Sequence, residues 1–390
     1  MVHMKGPAAT ELTPAARPRL VLPDLKLAAR PSGPEEDGFP MPVADRYITS
    51  RRFDSDFNLE SRVLGSGQSG DVRLASCKET GRMHAVKKFN KAKLSRAARS
   101  EMHREVDVYL SLDHPNIARL DRVYESDEAV HLVMEHLEGG ELFDALLERD
   151  KYEEDAAARI LVQVLEAVEY MHDHSVVHRD IKLENVLYER NGADRVKVID
   201  FGFAVRWDRQ NRLTQSCGTL HYVAPEVIAD NDGYTESADL WSVGAIAYTM
   251  LTGKAPYQGD DRMVKSKVLA GAIDYSKRFR HLSTGAQAFV RALLSFEPEH
   301  RPTAAEALAH PWLLDKTAVT SEEQMSQKQV PEAETLGVLP SPCQAKMSQK
   351  EVPEGKTLEV LPSPCQVSGW RGLRNVLAKL PVAAIGFGMA

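Results

Sequence analysis

The run His178-Arg179-Asp180-Ile181-Lys182-Leu183-Glu184-Asn185 puts a carboxylate, an ammonium and a carboxamide in one loop, with Asp180 and Asn185 five positions apart. Twenty residues after Asp180 stands Asp200, at the head of Asp200-Phe201-Gly202. Phosphoryl transfer from a nucleotide needs this set: a base for the proton of an attacking hydroxyl, a cation beside the moving group, and oxygen ligands for Mg²⁺. Asp180 is read as the base and Lys182 as the cation. Asn185 and Asp200 are read as the metal ligands, because Mg²⁺ prefers a few protein oxygens plus substrate phosphates to a closed protein cage. A lone Asp-Phe-Gly is a weak signal, but both runs in this order and at this spacing are a strong one.

The elements that must position these groups lie upstream. Leu64-Gly65-Ser66-Gly67-Gln68-Ser69-Gly70-Asp71-Val72 reads as two strands joined by a glycine-rich hairpin. Without a Cβ, Gly65, Gly67 and Gly70 let backbone N–H groups approach phosphate oxygens. The same glycine spacing occurs in dinucleotide-binding turns, but those open into a helix. Here Asp71-Val72-Arg73-Leu74-Ala75 alternates polar and apolar as a strand does. On the next strand, Ala85 and Lys87 share one face, so a small residue floors a pocket while Lys87 reaches into it; Lys88 points the other way. Eighteen residues after Lys87, Glu105 lies in an amphipathic stretch from Glu101 to Leu112 that stops at His114-Pro115. A glutamate on the inward face of that helix can pair with Lys87. Glu101, one turn away, is the competing candidate.

With these motifs in this order, the chain resembles eukaryotic serine/threonine protein kinases, most of all the calcium/calmodulin-dependent group and its calcium-dependent relatives. The resemblance runs from about Phe57 to Leu314 and rests on further motifs. Ala224-Pro225-Glu226 closes an activation segment, Asp239-Leu240-Trp241-Ser242-Val243-Gly244 is similar to the helix that anchors the catalytic loop, and His310-Pro311-Trp312-Leu313 looks like the end of the domain. Arg301 matches the arginine that pairs with the glutamate of Ala-Pro-Glu, here Glu226. Lys182 and the Gly218-Thr219-Leu220-His221-Tyr222 run are family marks of serine/threonine rather than tyrosine specificity.

The resemblance implies a bilobal α+β protein kinase fold over residues 57–314. A small antiparallel sheet with one helix packs on a larger helical lobe, and ATP with Mg²⁺ occupies the cleft between them. It implies Lys87 and Glu105 as catalytic partners of Asp180 and Lys182. It also implies an adenine pocket: Leu64, Val72, Ala85 and Leu187 sandwich the ring, Met134 guards the back, and backbone groups of Glu135 and Leu137 receive the adenine. Taken singly, each of these apolar residues reads more readily as core. Glu141 falls near the ribose, and by resemblance to arginine-preferring kinases Glu141 and Glu184 receive an arginine of the substrate. The resemblance also makes Thr219 a substrate-binding position.

Composition is compatible with this reading. Of the 390 residues, 43% are hydrophobic and 27% charged, enough for one or two cores. A net charge of −7 with interspersed signs points to neither nucleic acid nor an anionic membrane as partner. Cysteines 77, 217, 343 and 365 form no metal-ligand spacing and no disulfide framework. With no apolar signal core and no apolar run of membrane-spanning length, the expectation is a soluble monomer of the cytoplasm or nucleus that acts on protein substrates.

Outside the domain the chain changes character. Residues 1–52 are rich in Pro, Ala and Arg and read as disordered. Residues 316–368 read as a disordered linker containing a repeat: Met325–Gln344 and Met347–Gln366 agree at 16 of 20 positions, offset by 22. Residues 369–381 form a basic amphipathic segment. Trp370, Leu373, Val376, Leu377 and Leu380 lie on one side, and Arg371, Arg374 and Lys379 on the other. Such a segment suits calmodulin, the chain's own cleft, or docking on the large lobe. Residues 382–390 form a tail.

Two positions depart from the family pattern. Ser69 stands where an aromatic usually tips the glycine loop, and Gln215 stands where an activating phosphothreonine is common. Two other classes of function compete with an active kinase. A pseudokinase scaffold would normally lack one of Lys87, Asp180, Asn185 or Asp200, and a small-molecule phosphotransferase would lack the Ala-Pro-Glu segment.

Overall fold

The computed structural model describes residues 43–317, apart from 68–69, 230–231 and 276. Its first part is a six-stranded sheet in the order β1-β5-β6-β4-β3-β2. The strands are β1 Tyr47–Ile48, β2 Phe57–Gly67, β3 Gly70–Cys77, β4 Met83–Asn90, β5 Leu120–Glu125 and β6 Ala129–Glu135. All neighbours are antiparallel except β1, which joins the edge of β5 in parallel. Alternation along β4 sends Val86 into a small outer core with Phe53, Phe57, Tyr124 and Val133, and turns Ala85 and Lys87 to the opposite face.

One long helix, Arg96–Leu110, packs with the sheet. It begins earlier and ends sooner than the expected stretch from Glu101 to Leu112, because Ser95 accepts the Ala98 N–H and sets the N-terminus five residues upstream. Met102, Val106 and Tyr109 recur at helical spacing on its buried face, with Glu105 between them.

The second part is helical: Leu142–Arg149, Glu154–Asp173, Ser237–Thr252, Asp261–Leu269 and Thr284–Leu293 are its longest helices. Every residue from Ala238 to Thr252 is buried, as expected of a helix that is apolar on all sides. A connected apolar core runs from Val106 and Leu132 through Phe201 to Trp241 and Phe289. Between the two parts lie the short hairpin of β7 (Val186–Tyr188) with β8 (Val196–Val198) and the loops that carry Asp180 and Asp200.

The expected disordered segment through residue 52 is corrected at its end. Val43–Arg46 is helical, Tyr47–Ile48 joins the sheet, and Phe53–Asp56 forms a helical turn. Two residues of strand are too few to show periodicity, and the segment is held by the buried Arg46 together with the isolated apolar anchors Ile48 and Phe53 rather than by a repeating apolar pattern. At the other end, residues 311–317 are helical, three positions beyond Leu314. The remaining N-terminal extension, the tandem repeat, the 369–381 segment and Ser69 lie outside the described residues.

Candidate active site

On β4, Lys87 stands opposite Val72 of β3 and Leu132 of β6, and Ala85 opposite Met134. Lys87 is buried, with Nζ 2.7 Å from Glu105 Oε1 and 3.7 Å from Asp200 Oδ1. Burial alone would lower the pKa of this ammonium. The carboxylates of Glu105 and Asp200 outweigh that and hold it above its ordinary value, so Lys87 is charged. Glu101 is exposed, its nearest cation being Arg104 at 4.0 Å. Lys88 is exposed on the opposite face, across from His131.

The catalytic loop hangs from the central helix. Asp239, fully buried near the start of Ser237–Thr252, accepts the backbone N–H groups of His178 at 2.9 Å and Arg179 at 2.8 Å. His172 Nε2 lies 3.0 Å from the same carboxylate. Burial would raise the Asp239 pKa, but His172 and His178 pull it below the usual carboxylate value. The clamp is needed because Arg179 adopts φ 68°, a left-handed conformation that side chains disfavour.

Around Asp180 the donors converge. Lys182 Nζ donates to Asp180 Oδ2 at 2.6 Å, and the Thr219 hydroxyl donates to Oδ1 at 2.8 Å. Lys182 also reaches the Thr219 hydroxyl at 3.0 Å. Asn185 Nδ2 donates to the Asp180 carbonyl at 2.9 Å, and the Asn185 carbonyl receives the Ile199 N–H at 2.9 Å. The last bond ties the loop to the residue before Asp200. Gly218, at φ 103°, lies against the Arg179 carbonyl, which an added Cβ would meet at 2.6 Å, so glycine lets the Thr219 loop close over Asp180.

Asp200 sits in the cleft with 47% of its side chain open. The protein around it would raise its pKa, but Lys87 and then Lys182 hold it below the ordinary carboxylate value, ready for a cation. The following Phe201 is fully buried, stacked 4.4 Å from Tyr109 of the Arg96–Leu110 helix and edge-on to His178 at 5.1 Å. This packing turns Asp200 toward Lys87.

Leu64, Val72, Ala85, Met134 and Leu187 are each half-buried, unlike the core residues beside them, as befits apolar groups lining an open cleft; Leu137 is buried. Gly67 and Gly70 are paired at the end of the β2–β3 hairpin, braced by a 2.7 Å bond from the Ser66 hydroxyl to Asp71 Oδ1. The Glu135 side chain accepts Lys197 Nζ at 2.8 Å on both oxygens and the Arg119 N–H at 3.2 Å. Glu141 forms a β-bridge with Leu187 and leads into the Leu142–Arg149 helix. Glu184 is half-buried, and burial raises the pKa of its carboxyl. Its Oε2 is buried without a hydrogen-bond partner. Arg301 grips Glu226 with two bonds, 2.6 and 2.8 Å long, fixing the end of the activation segment.

Sequence reasoning missed His172, Lys197 and Tyr234. Each acts through a partner 19 to 67 positions away, and none sits in a motif that marks it out.

The protein kinase domain family matches residues 59–313 of the chain. The calcium/calmodulin-dependent protein kinase type 1 of Macrobrachium nipponense is 38% identical over 298 residues, which cover 75% of this chain and 82% of that protein. The protein of the same name in Caenorhabditis elegans is 38% identical over 262 residues, 66% of this chain and 74% of that protein. Calcium-dependent protein kinase 9 of Oryza sativa subsp. japonica is 40% identical over 257 residues, 65% of this chain and 44% of its own length. A lysine paired between two lobes, a carboxylate ringed by donors and these relatives agree: the chain belongs to the protein kinase family and is a serine/threonine protein kinase.

Proposed function

We propose that the enzyme transfers the γ-phosphoryl group of Mg-ATP to serine and threonine hydroxyls of proteins, with a preference for arginine three residues before the acceptor. The carrying observation is Lys87 Nζ standing between Glu105 and Asp200. A fixed ammonium beside a cleft carboxylate is what a nucleotide triphosphate and its metal require. Asp180 takes the proton of the attacking hydroxyl, and Lys182 stabilises charge on the phosphoryl group. Asn185 and Asp200 hold Mg²⁺, whose chemistry is to neutralise the phosphates as charge moves. Leu64, Val72, Ala85, Leu187 and Met134 enclose adenine, with Glu135 and Leu137 offering backbone groups and Glu141 the ribose contact. The names of the relatives favour calcium/calmodulin control, and residues 369–380 are the basic, apolar-faced stretch of the chain suited to calmodulin or to the enzyme's own cleft.

The test is Asp200→Asn, assayed for transfer to a serine peptide and separately for ATP binding. Turnover should fall by several orders of magnitude while nucleotide binding persists. Near-normal turnover would remove the metal assignment and with it this reading.

A further inference from the structure

Residues 43–48 precede the part of the chain that matches the kinase family, and the catalytic reading makes no use of them. They nevertheless enter the sheet and reach the helix that carries Glu105. Tyr47 and Ile48 pair with Val123 and Tyr124, extending the sheet beyond the β5 edge. Arg46, just before them, is only 4% exposed, rare for an arginine. Its guanidinium donates to the Leu110 carbonyl at 3.2 Å, to the Asp121 carbonyl at 3.4 Å, and to the Leu120 carbonyl.

Those acceptors lie on two different elements. Leu110 ends the Arg96–Leu110 helix, where the final carbonyls have no partner within the helix and a cation is favoured by the helix dipole. Leu120 and Asp121 begin β5. A single planar fork therefore ties the end of the helix to the sheet. Tyr47 adds a second tie: its hydroxyl donates to Glu125, which also receives Lys91 Nζ and lies 4.0 Å from His103 Nε2 on the same helix. A buried guanidinium persists only where its donors are met, so the pose of the helix and the seat of Arg46 are coupled.

We propose that Arg46 is a positioning residue for phosphoryl transfer: it fixes the Arg96–Leu110 helix so that Glu105 meets Lys87, which makes residues 43–48 a working part of the catalytic lobe. The proposal rests on the Lys87–Glu105 pair serving catalysis as described above. Lysine cannot replace the residue, because one ammonium does not span acceptors on both elements.

The test uses the full-length protein and measures kcat per folded molecule, KM for ATP, melting temperature and amide hydrogen exchange. Arg46→Ala should lower kcat by about 10- to 100-fold, the scale of a misplaced catalytic group. Exchange over residues 96–110 should quicken, and KM for ATP should move far less. Arg52→Ala, an exposed change four residues beyond that segment, should alter neither kcat nor exchange over residues 96–110. A lower melting temperature with unchanged kcat per folded molecule would reduce Arg46 to a structural residue and overturn the proposal. If Arg46→Ala does not fold, Arg46→Lys decides: the same loss of kcat supports the proposal, and full kcat overturns it. Glu105→Gln run alongside separates the two levels, since full activity there removes the role of the pair whatever Arg46 does.

Discussion

Tyr234 stands between Arg179 and Gln215: its hydroxyl accepts from Arg179 Nη1 at 3.2 Å and donates to the Gln215 carbonyl at 2.7 Å. Arg179 Nε donates in addition to the Phe203 carbonyl at 2.6 Å. The arginine before the catalytic aspartate is thus occupied by neutral oxygens, at the place where related kinases often use a phosphothreonine. Tyr234 ties Arg179 to the activation segment through its hydroxyl, a link that calls for no phosphate on the neighbouring Thr214 or Ser216.

The double variant Thr214→Ala/Ser216→Ala should therefore keep its kcat, whereas Tyr234→Phe should lose about tenfold, the worth of a hydrogen bond to a charged group. Steady-state assays on protein checked for phosphate by mass spectrometry decide the matter. A dead double variant would show that phosphorylation at Thr214 or Ser216 is required.

Lys87→Met should abolish turnover while leaving nucleotide binding largely in place, because the lysine orients phosphates and the apolar residues bind adenine. Lys88→Met, on the exposed face opposite His131, should turn over normally. Calorimetric ATP binding beside a turnover assay separates the two effects. Activity in Lys87→Met together with its loss in Lys88→Met would mean that the paired lysine is not the working one.

How far the sequence could be read depends on how local each signal is. Asp180, Lys182 and Asn185 stand within five positions, because a loop must present them together, and such a run survives as a string. The two-residue periodicity of β3 and β4 likewise assigned Lys87 to its face. Arg46 gave no signal: its partners are backbone carbonyls 64 to 75 positions away, and a carbonyl has no side-chain identity to recognise. His172 and Tyr234 were silent for a related reason, being the outer partners of Asp239 and Arg179, which the motifs do contain. The start of the Arg96–Leu110 helix was lost because its exposed first turns lack apolar residues at helical spacing, leaving Ser95 as the sole cue.

His131 lies flat on Phe53, with ring centroids 4.5 Å apart, so β6 is joined to the segment ahead of the family match. Burial, helped by Lys88, pulls its pKa down from 6.5 to about 4. Between those values the unfolded chain binds more protons than the folded one, so stability is lost as pH falls through this window. At pH 5 the full shift would be worth about 2 kcal/mol, and about 1 kcal/mol after allowing for the half-exposed ring. Urea unfolding at pH 7 and pH 5 should show wild type losing that much relative to His131→Phe. Parallel losses in the two proteins would remove His131 as the cause.

The proposed arginine preference rests on Glu184. Its Oε2 is buried without a hydrogen-bond partner, and burial raises the pKa of the carboxyl against the opposing pull of Lys182 and the Tyr222 hydroxyl, so an incoming cation would further favour the charged form. Arginine suits it, because a planar guanidinium can bond a carboxylate through two parallel N–H groups. Glu141, at the start of the Leu142–Arg149 helix, is the second carboxylate by resemblance to arginine-preferring kinases. Phe203, just after Asp-Phe-Gly, is a residue type that accompanies serine acceptors in the family. Arg-x-x-Ser peptides should thus be preferred over the same peptides with alanine in place of arginine. Glu184→Ala should cut that discrimination by about 1–3 kcal/mol, the scale of a hydrogen bond to a charged group, mostly through kcat/KM for the arginine peptide. Peptide-array phosphorylation with both proteins gives the measurement. An array with no arginine preference, or with an acidic or proline-directed one, would withdraw this role from Glu184 and leave the phosphoryl-transfer chemistry at Asp180 untouched.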